Sequence, residues 1–291
     1  MPKPKITCKL TGEEGPSVRC HIIPRSACLT TPKGGLVFAL SEDTPAKRNL
    51  NGWYDTSIVT RRGEDYLADL DEYAVKLFRK KGMFFSKRRD DGAKFDGFFE
   101  LPISGSGIVG HFAINDVDAM KIKLFGLSLL WRASATSRPE FEHIKLAQAD
   151  EKSIGRFITG DATPRHWEYP IIVSAFDNSY DRTDLTPSVV RMFHTKFIRW
   201  CIDGVILYTC TRRTMFNRRS MGALSAGYLK DELKGLVINY SSSTQKKVSD
   251  RVFENHLEKF GSPYRDDKML GLPPKFVFDE FGRRVPFRNS S

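Results

Sequence analysis

No run of about eighteen uncharged apolar residues occurs in this chain of 291 residues, and mean hydropathy is −0.37, so no membrane-spanning helix is expected. Behind Met1-Pro-Lys-Pro-Lys5 there is no apolar segment of the signal-peptide kind, which argues against secretion. Cysteine is scarce: five residues, scattered and odd in number, suit a reducing cytosol better than a disulfide scaffold. Internal repeats and low-complexity tracts are also missing. No Gly-x-x-x-x-Gly-Lys loop or dinucleotide fingerprint is present, so Gly34-Gly35 and Gly105-Ser-Gly107 read as turns. His111, His143, His166, His194 and His256 stand alone, without metal-ligand spacing. The expectation is a cytoplasmic protein with no membrane partner.

Acidic residues are in deficit. Forty-six Lys and Arg against 35 Asp and Glu leave +11, and the surplus is clustered around aromatics. Arg79-Lys80-Lys81 and Lys87-Arg88-Arg89 flank Met83-Phe84-Phe85, and Arg212-Arg213 and Arg218-Arg219 flank Met215-Phe216. Cations can neutralise phosphates while rings stack on bases, which makes nucleic acid the leading partner class, DNA or RNA alike. The plainer reading is a solvated basic surface with core aromatics between.

Periodicity gives the architecture. Apolar positions from Tyr66 to Phe78 recur at helical spacing and predict an amphipathic helix over Glu64–Phe78. Val117–Ala133 is apolar nearly all round and predicts a buried core helix. Strands are expected at 36–40, 97–103, 107–114, 169–176 and 235–240, and a hairpin of 189–201 with 205–211 through Asp203-Gly204. Ser243 is placed to cap a helix bearing Val248, Val252, Phe253, Leu257 and Phe260. The fold class expected is α+β, with a small module at 1–85 and a larger mixed α+β body at 95–291 of unassigned role.

One segment joins residue type and spacing into a chemistry. His21 lies on an apolar strand before Pro24, and an imidazole near its intrinsic pKa can deprotonate water. Hydrolysis of a phosphodiester also asks for a divalent metal held by hard oxygen donors, for which Asp55 and Glu64 are candidates. Their ordinary roles are a turn residue and a first-turn acid on the helix dipole. Cys8, Cys20, His21 and Cys28 form an alternative soft-ligand set, but adjacent strand residues point to opposite faces, so Cys20 and His21 cannot readily share a metal.

Cys8-Lys-Leu-Thr-Gly12, His21-Ile-Ile-Pro-Arg25 and the stretch from Gly52 to Glu64 resemble, in order and spacing, the HNH-type ββα-metal nucleases, a treble-clef family. The resemblance covers roughly the first 80 residues. It implies a knuckle, a hairpin and a helix laid across it, with two Cys-x-x-Cys pairs holding zinc. Here Cys8 keeps one ligand, while Thr11, Thr60 and Gly63 stand at the other three, so no structural zinc is expected. His21 falls at the family's general base, Cys20 at the metal-binding carboxylate, Asp55 at the Asn and Glu64 at the final His. By this resemblance an active protein would be a phosphodiesterase using Mg²⁺ or Mn²⁺, with phosphate contacts from Arg25 or Arg61 and Arg62. The alternative is an inactive binding or scaffold protein with a protein partner, such as an accessory subunit of a bacterial or phage defence system.

Overall fold

The computed structural model describes residues 3–27, 52–85, 95–101, 107–177, 187–192, 194–213 and 231–243, with short pieces at 38–39, 47–48, 246–247, 250–251, 254–255, 258–259, 276–278 and 284–286. The chain divides into two compact units, Met1–Gly35 with Asn51–Lys246, and Leu36–Leu50 with Lys247–Ser291.

Strand β1 (Lys5–Thr7) pairs antiparallel with β2 (Glu14–Pro16) across a tight turn in which the Gly12 N–H donates to the Cys8 carbonyl at 2.8 Å. Strand β3 (Cys20–His21) follows. The next two strands, β4 (Phe38–Ala39) and β5 (Lys47–Arg48), pair with each other in the second unit. Strand β6 (Tyr54–Asp55) pairs antiparallel with β3. Helix α1 (Arg61–Lys80) starts three residues earlier than its apolar periodicity and ends two later. Its buried face is Gly63, Leu67, Leu70, Ala74 and Phe78, and it stops where Gly82 takes a φ of 67° and the Met83 N–H reaches back to Phe78.

The body is built on a sheet. In chain order its strands are β7 (Phe98–Glu100), β8 (Ile108–Asn115), β9 (Ile171–Phe176), β10 (Ser188–Met192), β11 (Thr195–Ile202), β12 (Val205–Cys210) and β13 (Glu232–Ile238). They lie side by side as β10-β11-β12-β9-β13-β8-β7, with β9 and β13 parallel and every other pair antiparallel. The central strand β9 is buried at all six positions and is correspondingly apolar. Asp203 and Gly204, with φ of 46° and 92°, make the expected tight turn between β11 and β12. The expected single strand 189–201 is two strands, β10 and β11, hairpinned between Met192 and Thr195. His194 takes a φ of 58° there, and without a Gly or Asn the sequence carries no turn signal. The remaining strands, β14 (Phe276–Phe278) and β15 (Arg284–Pro286), pair in the second unit.

Helix α2 (Ala119–Ala135) is capped by Asp118, whose carboxylate accepts from the Lys121 N–H, and is buried on nearly every side. One side presses on the sheet so closely that a Cβ on Gly126 would sit 3.1 Å from Ile171. Helices α1 and α3 (Gln148–Ile158) pack on α2 elsewhere; the periodicity reading missed α3, whose buried face is only Ile154, Gly155 and Ile158. The expected cap at Ser243 is present, its Oγ accepting from the Lys246 N–H at 3.1 Å, while Val248, Val252, Phe253, Leu257 and Phe260 lie outside the described residues. No described helix is long and apolar enough to cross a membrane.

Candidate functional site

Four positions in the front of the chain meet in space. Cys8 ends the β1 strand region, Thr11 lies in the following turn, and Thr60 and Gly63 open α1. The Cys8 thiol is 1% exposed. Burial pushes it up, but hydrogen bonds from the Thr11 side chain and from backbone groups of Thr60, Thr11 and Leu10 outweigh that and bring it below the ordinary thiol range. Gly63 is a close neighbour: a Cβ there would lie 2.6 Å from Cys8 Sγ and 3.1 Å from Val59 Cβ. Thr60 also bridges to Ser17 and packs its methyl against Gly15. Around this point Val18, Ile22, Ile58, Leu67 and Leu70 form one continuous buried cluster with α2 residues such as Leu127 and Trp131, and Leu10 packs on it.

The β3–β6 ladder sorts the candidate chemistry by face. Its register sets Cys20 opposite Asp55 and His21 opposite Tyr54. Directly opposed residues share a face and neighbours alternate, so His21 and Asp55 project from opposite sides. The His21 ring lies 6.0 Å from the Tyr54 ring, and the Tyr54 ring also carries the Arg19 guanidinium, 4.4 Å from its centre. Asp55 is bound into the fold: Oδ1 accepts from the Ser57 N–H and Oγ at 2.7 Å, and Oδ2 accepts from Thr136 Oγ1. These bonds outweigh burial and hold its carboxyl below the usual carboxylate range.

Glu64 turns inward from α1, where the Cys20 thiol hydrogen-bonds to it. Burial pushes both groups up, the Cys20 thiol well above its usual range. Two turns along the same helix face, Asp71 makes a bidentate ion pair with Arg132 of α2, at 2.7 and 2.9 Å. Arg132, fully buried, also donates to the His21 carbonyl at 2.8 Å and to Ser128. A polar seam of Cys20, Glu64, Asp71 and Arg132 thus joins β3, α1 and α2. Asp71 and Arg132 were not singled out from sequence. A charged residue inside a helix apolar all round must find a buried partner, and Arg132 carried that signal.

Both Asp55 oxygens are engaged, Glu64 is bonded to Cys20, and among the described residues no three His, Cys, Asp or Glu side chains group closely enough to hold a metal ion. Cys28 lies outside the described residues.

The described basic candidates have individual surroundings. Arg25 is exposed; Arg61 pairs with Asp65 at 3.7 Å and Arg62 with Glu13. Arg79 donates to the Ser26 carbonyl, tying α1 to the loop after β3, Lys80 is exposed, and Lys81 lies 3.9 Å from Asp96. Arg212 is exposed and Arg213 pairs with Glu168. Lys87, Arg88, Arg89, Arg218 and Arg219 lie outside the described residues. Comparison of the chain with protein-family models, with curated proteins and with solved structures found no match.

Proposed function

We propose that this chain is a nucleic-acid-associated protein whose first 85 residues are an HNH-like ββα module without its zinc, used for binding or assembly rather than hydrolysis. The module's descent is supported by the meeting of Cys8, Thr11, Thr60 and Gly63 at one point, which are the positions the resemblance assigns to four zinc ligands. The observation that carries the non-hydrolytic reading is the placement of Asp55. It projects from the ladder face opposite His21 and has both carboxylate oxygens bound by Ser57 and Thr136. A general base and a metal-binding carboxylate must converge on one reacting point.

The hydrolytic reading keeps one observation in its favour: Glu64 Oε2 is buried and has no hydrogen-bond partner. A nuclease assay over single- and double-stranded DNA and RNA with Mg²⁺ or Mn²⁺ separates the two. No cleavage is expected, and cleavage that His21→Ala abolishes would replace this reading with the hydrolytic one. Nucleic-acid binding is expected to weaken steeply with salt, and neutralising Arg79, Lys80, Lys81, Lys87, Arg88 and Arg89 should flatten that slope. Absence of binding to every form at low salt would overturn the nucleic-acid assignment.

A further inference from the structure

A cleft of about 250 Å³ opens on the side of α3 away from the front module, between that helix, the loop 159–169 and the end of β12. The opposite side of α3 is occupied, with Gly155 against Leu10 and Glu151 bonded to Ser134. Three guanidiniums line the cleft, from Arg156, Arg165 and Arg213, together with the hydroxyl-bearing Ser153 and Thr163. Arg213 is paired with Glu168, which is buried at 4% exposure. Arg156 and Arg165 make no ion pair among the described residues; Arg165 lies 5.4 Å from the Trp167 ring centre. Among the lining side chains, three cations stand against one carboxylate, a surplus of two; Asp150 lies just behind them, accepting from the hydroxyl of the lining Tyr169.

The wall of this cleft is held from beneath. Lys123 of α2 is fully buried, and its ammonium donates to the carbonyls of Arg165 and His166 at 3.0 and 2.8 Å. Glu168 closes the same loop by accepting from the Arg165 N–H at 2.8 Å. Burying a lysine is costly, and here it fixes the backbone that carries Arg165. The backbone that carries Arg165 is thus fixed, while the Arg156, Arg165 and Arg213 side chains stand exposed around the recess.

We propose that this cleft binds a phosphate monoester. A terminal phosphate near neutral pH carries close to two negative charges, which matches the surplus, whereas a phosphodiester carries one. Planar guanidiniums match phosphate oxygens in bidentate geometry, and Thr163 adds a hydroxyl at the rim, while the Ser153 hydroxyl donates to the Ala149 carbonyl at 2.8 Å. The volume suits a phosphate with an attached sugar. The same chemistry can come from a free nucleotide or from the end of a nucleic-acid strand. This site is separate from the front module and does not depend on how that module acts.

Titration calorimetry of the full chain at low salt tests it with four probes: inorganic phosphate, adenosine monophosphate, and a short oligothymidylate bearing either a 5′-phosphate or a 5′-hydroxyl. A phosphorylated probe is expected to bind, the 5′-phosphate oligonucleotide at least about tenfold tighter than its 5′-hydroxyl counterpart, about 1.4 kcal/mol. Binding of adenosine monophosphate as tightly as the 5′-phosphate strand would identify a free-nucleotide pocket, and binding of the phosphorylated strand alone a strand-end pocket; both support the proposal. Arg156→Ala with Arg165→Ala should remove the discrimination while leaving the circular dichroism and thermal transition unchanged, because both side chains are exposed. Equal binding of the two oligonucleotides, no binding of any phosphorylated probe, or discrimination undiminished in the double variant would overturn it.

Discussion

Arg132 uses each of its three guanidinium nitrogens inside the protein, on Asp71, Ser128 and the His21 carbonyl. Cutting one member of a buried ion pair strands the other, which costs about 3–5 kcal/mol, whereas replacing both by apolar groups is often near neutral. Arg132→Met is therefore expected to destabilise by that order in denaturant unfolding, and Asp71→Leu added to it to restore most of the loss. A double variant as unstable as the single one would remove the pair as the cause. Lys123 yields a pH prediction. Burial, opposed by the charges of Glu168 and Cys210, brings its pKa from 10.5 down to about 7. Between those values the unfolded chain holds a proton that the folded chain has released, so stability should rise with pH across that window and the contribution should be lost as pH falls through 7. The slope for one proton is at most about 1.4 kcal/mol per pH unit. It appears as a difference between the wild type and Lys123→Met in unfolding measured from pH 7 to 10, and a flat difference would rule it out.

Helix α1 is tied to the knuckle by its first turn. In an ordinary helix Gly→Ala stabilises by up to about 1 kcal/mol. At Gly63 the added methyl would meet Cys8 Sγ at 2.6 Å, inside van der Waals contact. Gly63→Ala should accordingly destabilise, by about 1–3 kcal/mol as overpacking does elsewhere, and Cys8→Ala should lower that cost in the double variant by freeing the space. Additive effects in this cycle would mean that the helix start is not held against Cys8. The same contact explains a glycine in the first turn of this helix.

At the scale of the first unit, one buried cluster runs from Cys8 through α1 and α2 to Val237, and polar ties reinforce it. Lys9 donates to the Ala135 carbonyl, Arg138 to the Tyr54 carbonyl, and Thr136 to Asp55. Among the described residues, the buried side chains of the front segment thus belong to this shared cluster. A fragment of residues 1–85 is expected to show the narrow amide dispersion of an unfolded chain in NMR spectra, because its apolar face has lost α2. A dispersed, cooperatively melting fragment would show instead that the front module folds independently.

Local pattern was enough to place α1, α2, most strands of the sheet and the Asp203-Gly204 turn, because each depends on periodicity or on a turn residue with positive φ. The α+β class was legible for the same reason. Tertiary structure alone decided the rest. Whether His21 and Asp55 share a face depends on the register between β3 and β6, which 32 residues separate in the chain and which no local signal fixes. The partners of Arg132 and Lys123 come from other elements, and burial demanded a partner without naming it. Arg156, Arg165 and Arg213 drew no joint notice because a helix, a loop and a strand end had to be folded together before their charges could add.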